Sequence, residues 1–146
     1  MFDPIEFAFL ARQLAAGDLI VCGDPAASRE AQLRAAFGRA YYAVFLVVRF
    51  VLLRRHHIRS QWVDHGNLYN YLQHSRAGEH LNHLGREIER LYRLRQKADY
   101  ELGPTADWQR RLTNPVLADF LARQAIELTS AVEDLDFSPV VHLFRR

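Results

Sequence analysis

The chain has 146 residues, 49% hydrophobic and 25% charged, with a formal net charge of +2. That composition supplies one buried core and excludes global disorder, and so small a charge gives no ground for nucleic-acid binding through bulk electrostatics. Cys22 is the only cysteine, which excludes an intrachain disulfide framework and a cysteine-based zinc site.

Lys97 is the only lysine among 19 basic residues. Arginine suits phosphate better than lysine does, although a genome-wide arginine bias explains the ratio equally well. The start Met1-Phe2-Asp3-Pro4-Ile5-Glu6 carries acids and no basic region, unlike a signal peptide. The apolar stretch 40–53 is interrupted by Arg49 and is shorter than the roughly 20 residues of a membrane span. The expectation is a soluble cytoplasmic protein with no membrane partner.

Helical signals dominate. Asp3-Pro4 pairs an N-cap with a first-turn proline, and Phe7, Leu10 and Leu14 follow at helical spacing. Gly17-Asp18 ends this first helix near Leu19. Asp24-Pro25 repeats the opening chemistry for a long second helix, 25–54. Leu33, Phe37, Tyr41, Val44 and Val48 form one stripe on it, and Tyr42, Phe45, Arg49 and Leu52 an adjacent one. So wide an apolar surface predicts a central helix. Gly38 inside it costs about 1 kcal/mol against alanine, which a closely packed neighbour would explain.

Asp64-His65-Gly66-Asn67 starts a short third helix that ends near 76–78. Leu81, Leu84, Ile88, Leu91 and Leu94-Arg95 mark a fourth, from 79 to about 102, stopped by Gly103-Pro104. Residues 105–112 read as a loop anchored by Trp108. Asn114-Pro115 opens a fifth helix ending near 135, with Leu117, Phe120, Leu121, Ala125, Leu128 and Val132 facing inward. The tail 136–146 is partly apolar and reads as either a docking segment or a flexible one. The expected fold class is all-α: a single domain over 1–146, an up-down bundle of four to five helices.

Two segments carry more than fold. Arg39-Ala40-Tyr41-Tyr42-Ala43-Val44-Phe45 lies on the second helix, and Arg95-Gln96-Lys97-Ala98-Asp99-Tyr100 lies late in the fourth. With His65-Gly66 between them, in this order and spacing, the chain resembles the HEPN superfamily of small helical bundles. The resemblance covers most of residues 1–135. It implies a homodimer formed across the arginine-motif helix, a role in a toxin–antitoxin or defence pair, a nucleotidyltransferase-type protein partner, and RNA or a nucleotide as ligand.

Nuclease members of the superfamily carry Arg, four to six residues, then His in the late helix. Here four residues after Arg95 lead to Tyr100, with Asp99 one place earlier. A metal-independent ribonuclease needs a base near neutral pKa and a cation for phosphate, and tyrosine ordinarily titrates near 10. Asp99 is the other base available, but Arg95 lies one turn back on the same face and would pair with it. Three functional readings stay open: a nucleotide- or RNA-binding component, an endoribonuclease using Arg95 with Asp99 or Tyr100, and a non-catalytic interaction module.

Arg39 either ties the second helix to Asp99 or Glu101 of the fourth, or lines a phosphate-binding cleft. Tyr41 and Tyr42 point about 100° apart, so one is core while the other reaches a cleft or a dimer face. Arg54, Arg55 and Arg59, with His56 and His57, form a dense basic patch that either holds a nucleic-acid backbone or is a solvated helix end. Arg59/His65, Arg49/His56 and Arg76/His83 also have the Arg–His spacing, as chance allows among 19 basic residues and seven histidines. His74, His80 and His83 with Glu79 and Glu87 give no complete metal ligand set, so no metal or cofactor is expected.

Overall fold

A computed structural model describes residues 3–17, 25–101 and 105–145; the side chains of 25–28 lie outside the description. The described residues hold six α-helices and no strand. These are α1 (Ile5–Ala16), α2 (Pro25–His56), α3 (His65–Leu72), α4 (Glu79–Tyr100), α5 (Ala106–Leu112) and α6 (Pro115–Ala131). The all-α bundle expected from the sequence is therefore present, with one helix more than the upper expected number.

Helix α1 starts one residue later than the sequence pattern places it. The Asp3 carboxylate accepts from the Ile5 backbone N–H at 3.0 Å, so the aspartate still acts as the cap. It stops at Gly17, whose φ of 77° is a left-handed conformation that glycine adopts without steric penalty. Arg29 of α2 closes this end by donating to the carbonyls of Leu14 at 2.8 Å and Ala15 at 2.5 Å. The expected end near Leu19, the Asp24 cap, Cys22 and the Gly103-Pro104 stop lie outside the described residues.

Helix α2 is the centre of the bundle and packs against α1, α4 and α6. The first predicted stripe is buried throughout (Leu33, Phe37, Tyr41, Val44 and Val48), whereas in the second Phe45 and Leu52 are buried and Tyr42 and Arg49 half-buried. Its segment Arg29–His56 is long and apolar enough to cross a membrane by length and composition alone. Within the fold 67% of its apolar 18-residue window is buried by neighbouring helices, as in the core helix of a bundle.

The short helices correct the sequence reading. Asp64 caps α3 by accepting from the Asn67 N–H at 2.7 Å, but α3 ends at Leu72 and turns carry the chain to Gly78. Residues 106–112, expected as loop, form α5, closed by Thr113 donating to the Gln109 carbonyl at 2.8 Å. Asn114 caps α6 through the N–H groups of Val116 and Leu117, with Pro115 at its first turn as predicted. Phe120, expected inside, is 55% exposed. The inward face runs through Leu121, Ala122 and Ala125, and Phe120 falls one residue off it.

The tail docks. After α6 a 3-10 turn (Val132–Asp134) leads to Phe137, Val140, Val141 and Phe144, all buried. The Phe144 ring meets Tyr71 of α3 edge-on at 4.9 Å. Arg145 donates to the His56 carbonyl at 2.9 Å, closing the C-terminus of α2. Four apolar side chains in one short segment explain the docking, since exposing them would forfeit roughly 1.5–3 kcal/mol each.

Candidate functional site

Arg95 lies on the inward stripe of α4, among Leu91, Leu94 and Ala98, with a side chain only 10% exposed. A buried guanidinium needs partners on each donor edge. Nε donates to Asp99 Oδ2 at 2.9 Å, one turn along the same helix. Nη2 donates to the Tyr42 hydroxyl at 2.8 Å and to the Tyr100 hydroxyl at 2.9 Å. The guanidinium carbon also stands 5.1 Å from the Tyr42 ring centroid, 5.2 Å from Tyr100 and 5.9 Å from Tyr41. Burial works against this charge, but Tyr42, Tyr100 and Asp99 outweigh it and hold the guanidinium protonated more firmly than usual.

The two sequence segments thus converge on one cation. Tyr41 is the core member of the pair and Tyr42 the half-buried one that reaches the cluster. Asp99 is a third exposed and Tyr100 is 68% exposed, so the cluster opens to solvent through these two. Gly38 of α2 faces it: an added Cβ would meet Asp99 Oδ1 at 3.5 Å, an ordinary contact. The glycine is therefore packed against α4 without being sterically required there. The tight glycine is Gly85, where a Cβ would fall 2.8 Å from Gln73 Cγ and 2.9 Å from Leu72 Cβ of α3.

Arg39 does not bridge to Asp99 or Glu101. Its guanidinium lies 5.1 Å from the Phe7 ring of α1, on an exposed residue with no acidic partner among the described residues. The tie expected of it is made by Arg34, which donates to the carbonyls of Ala98 at 3.1 Å and Glu101 at 2.9 Å. Arg34 also reaches Glu30 and Gln109. The reason is helical phase: Arg34 and Gly38, one turn apart, share the face toward α4, and Arg39 lies about 100° further round. Arg39 is nevertheless near the cluster, because Phe7 contacts Tyr42 at 6.4 Å between centroids and Tyr42 lies under Arg95.

The sequence marks His65 as a helix start, as part of the resemblance and as the spaced partner of Arg59, but does not place it at the Arg95 cluster. Its Nδ1 lies 2.5 Å from the Tyr41 hydroxyl, and its ring stands 4.4 Å from Phe45, 5.9 Å from Tyr92 and 6.1 Å from Tyr42. Burial, then the nearby Arg95 charge, lower its pKa against the opposing Asp64, which favours the neutral imidazole. Burial pushes the Tyr41 phenol well above its ordinary range, so that group is a hydrogen-bond donor. The Tyr41 hydroxyl keeps its proton and pairs with Nδ1 in either neutral tautomer of the ring. No sequence signal marks this, because the contact joins α2 to α3 across the bundle.

The other candidates lie apart. Arg54 and Arg55 are some 22 Å along α2 from Arg39, at 1.5 Å per residue. Arg54 covers the Phe50 ring, Arg55 pairs with Glu133, and Arg59 covers Trp62. In none of the three spaced Arg–His pairs does the arginine hydrogen-bond its histidine among the described residues. Arg49 instead donates to the Ser60 carbonyl at 3.3 Å. No group of three potential metal ligands occurs among the described residues. A groove of about 390 Å³ is lined by Leu94, Trp108 and Leu121 with Arg90, Arg93 and Arg111, and Arg95 is not among its lining residues.

The Arg95 charge is paired with the Asp99 carboxylate. The cluster thus presents hydroxyls, a carboxylate and aromatic faces, with Arg39 as the exposed cation beside it. Comparison with protein-family models, with curated proteins and with solved structures returns no match for the chain.

Proposed function

We propose that this protein is a HEPN-like nucleotide- or RNA-binding component of a toxin–antitoxin or defence pair. In this reading it works in the cytoplasm as a homodimer beside a nucleotidyltransferase-type protein. The observation that carries it is the convergence of Tyr42 from the second-helix segment with Asp99 and Tyr100 from the late-helix segment on Arg95. The arrangement suits a nucleotide: Tyr100 offers an exposed ring for a base, and Arg39 an uncommitted cation for its phosphate.

The geometry favours binding over cleavage. Asp99 is already committed to Arg95 Nε, which leaves the endoribonuclease reading without a free carboxylate base. The test is one set of assays on purified wild type, R39A, R95A and Y100F, each checked for helicity by circular dichroism. Expected is binding of a short single-stranded oligonucleotide without cleavage, weakened at least several-fold in R39A and little changed in Y100F, which keeps the stacking ring. Cleavage abolished by R95A with the fold intact would instead establish the endoribonuclease. Neither binding nor cleavage, with a stable protein complex recovered on co-expression beside a nucleotidyltransferase, would leave the interaction module.

A further inference from the structure

His65 and Arg95 come from different helices and share the ring pair Tyr41 and Tyr42. The guanidinium lies over both rings at 5.9 and 5.1 Å, and the imidazole contacts both at 5.6 and 6.1 Å between centroids. One pair of aromatic rings therefore contacts both a fixed cation and a group that ordinarily titrates near neutrality. The Tyr41 hydrogen bond at 2.5 Å fixes the ring in place.

We propose that His65 is the positioning and proton-carrying residue of the Arg95 site, taking up a proton when a phosphodiester binds on Arg39 at the edge of that site. The inference rests on the binding reading above and adds to it the imidazole that the late helix lacks. Its physical basis is charge. From α4, Arg95 and Tyr92 face His65; from α2, Tyr41, Tyr42 and Arg49 do; Asp64 precedes it and Tyr69 lies one turn on. Arg95 and Arg49 oppose the imidazolium, and Asp64 alone favours it. An anion on Arg39 beside the cluster adds one negative charge, which works against the Arg95 and Arg49 charges felt at His65. Protonation of His65 then costs less in the complex than in the free protein, and by linkage the ligand binds more tightly once His65 is protonated. In the protonated ring Nδ1 donates and the Tyr41 oxygen accepts, so the pair persists.

The probe is a deoxydinucleotide, whose phosphodiester keeps one charge between pH 5 and 8 and has no 2′-hydroxyl to react. Calorimetric titration at pH 6.5 in two buffers of different ionisation heat reads proton uptake directly. Wild type is expected to take up a measurable fraction of a proton, and its affinity to rise on acidification by at most about tenfold per pH unit. H65N keeps an acceptor near Nδ1 without the titration, and is expected to bind with no uptake and a flat pH profile. Binding by wild type with no proton uptake, or unchanged uptake in H65N, overturns the proposal.

A second arm needs no ligand. The His65 ring-proton titration by NMR is expected to have a higher midpoint in R95Q than in wild type, and no change in R111Q. An unchanged midpoint in R95Q also overturns the proposal. A raised midpoint in a protein that binds no dinucleotide upholds the coupling and removes the binding reading instead.

Discussion

At the scale of single residues, the two helical glycines of closest interest separate cleanly. At Gly38 an added methyl fits at ordinary contact distance, so G38A should gain up to about 1 kcal/mol from helix propensity. At Gly85 the same methyl overlaps Leu72, Gln73 and the Tyr69 carbonyl, so G85A should lose about 1–3 kcal/mol despite that propensity. Urea denaturation of the two variants should show midpoints displaced in opposite directions. Asp99 is the only carboxylate on Arg95 among the described residues, and its side chain is a third exposed. D99N is expected to cost about 1–2 kcal/mol, below the full value for a buried pair because water reaches the carboxylate. A loss within experimental error would mean that the tyrosine hydroxyls alone satisfy Arg95.

At the scale of elements, what the sequence announces and what it hides differ by mechanism. Asp3, Asp64 and Asn114 could be read as helix starts because capping is a contact between near neighbours in the chain. The α4 stripe was equally legible, since a repeat of three and four residues encodes one buried face. Helix α5 was not, because seven residues are too few to show a period. The tail has no period either, and its fate was decided by the surface that α2 and α3 present to it. Phe144, 1% exposed against Tyr71, is a direct test. F144A should cost about 3–5 kcal/mol in thermal or chemical unfolding. A cost below 1 kcal/mol would mean that the tail contributes little to the fold.

For the whole molecule, pH reports how burial redistributes protons. Burial and then Arg95 hold His65 below its ordinary 6.5, so on acidification the unfolded chain binds that proton first. Stability contributed by the neutral form is complete above 6.5 and is lost as pH falls toward the folded value. Glu30, lowered chiefly by Gln109 and Arg34, and Glu89, lowered chiefly by Gln73, act in a lower window. Their contribution is complete above their ordinary 4.5 and is lost as pH falls through their folded values. All three act in the same direction, so the urea midpoint should fall between pH 7.5 and 5.5 and fall further below 4.5. H65N should remove the upper part of that decline and leave the lower part. A wild-type midpoint that stays level between pH 7.5 and 5.5 would contradict the assigned state of His65.

The sequence alone determined the all-α class, most helix starts and the placement of Arg95 on a buried stripe, because caps and periodicity act over a few residues of chain. It also presented Tyr42, Asp99 and Tyr100 as candidates, but on two segments more than fifty residues apart. Only the tertiary structure joined them on one guanidinium, turned Arg39 toward Phe7, gave its expected tie to Arg34 and brought His65 to Tyr41. Those decisions depend on how α1, α3 and α4 are rotated about α2. Close packing of side chains fixes that rotation, and no local spacing encodes it.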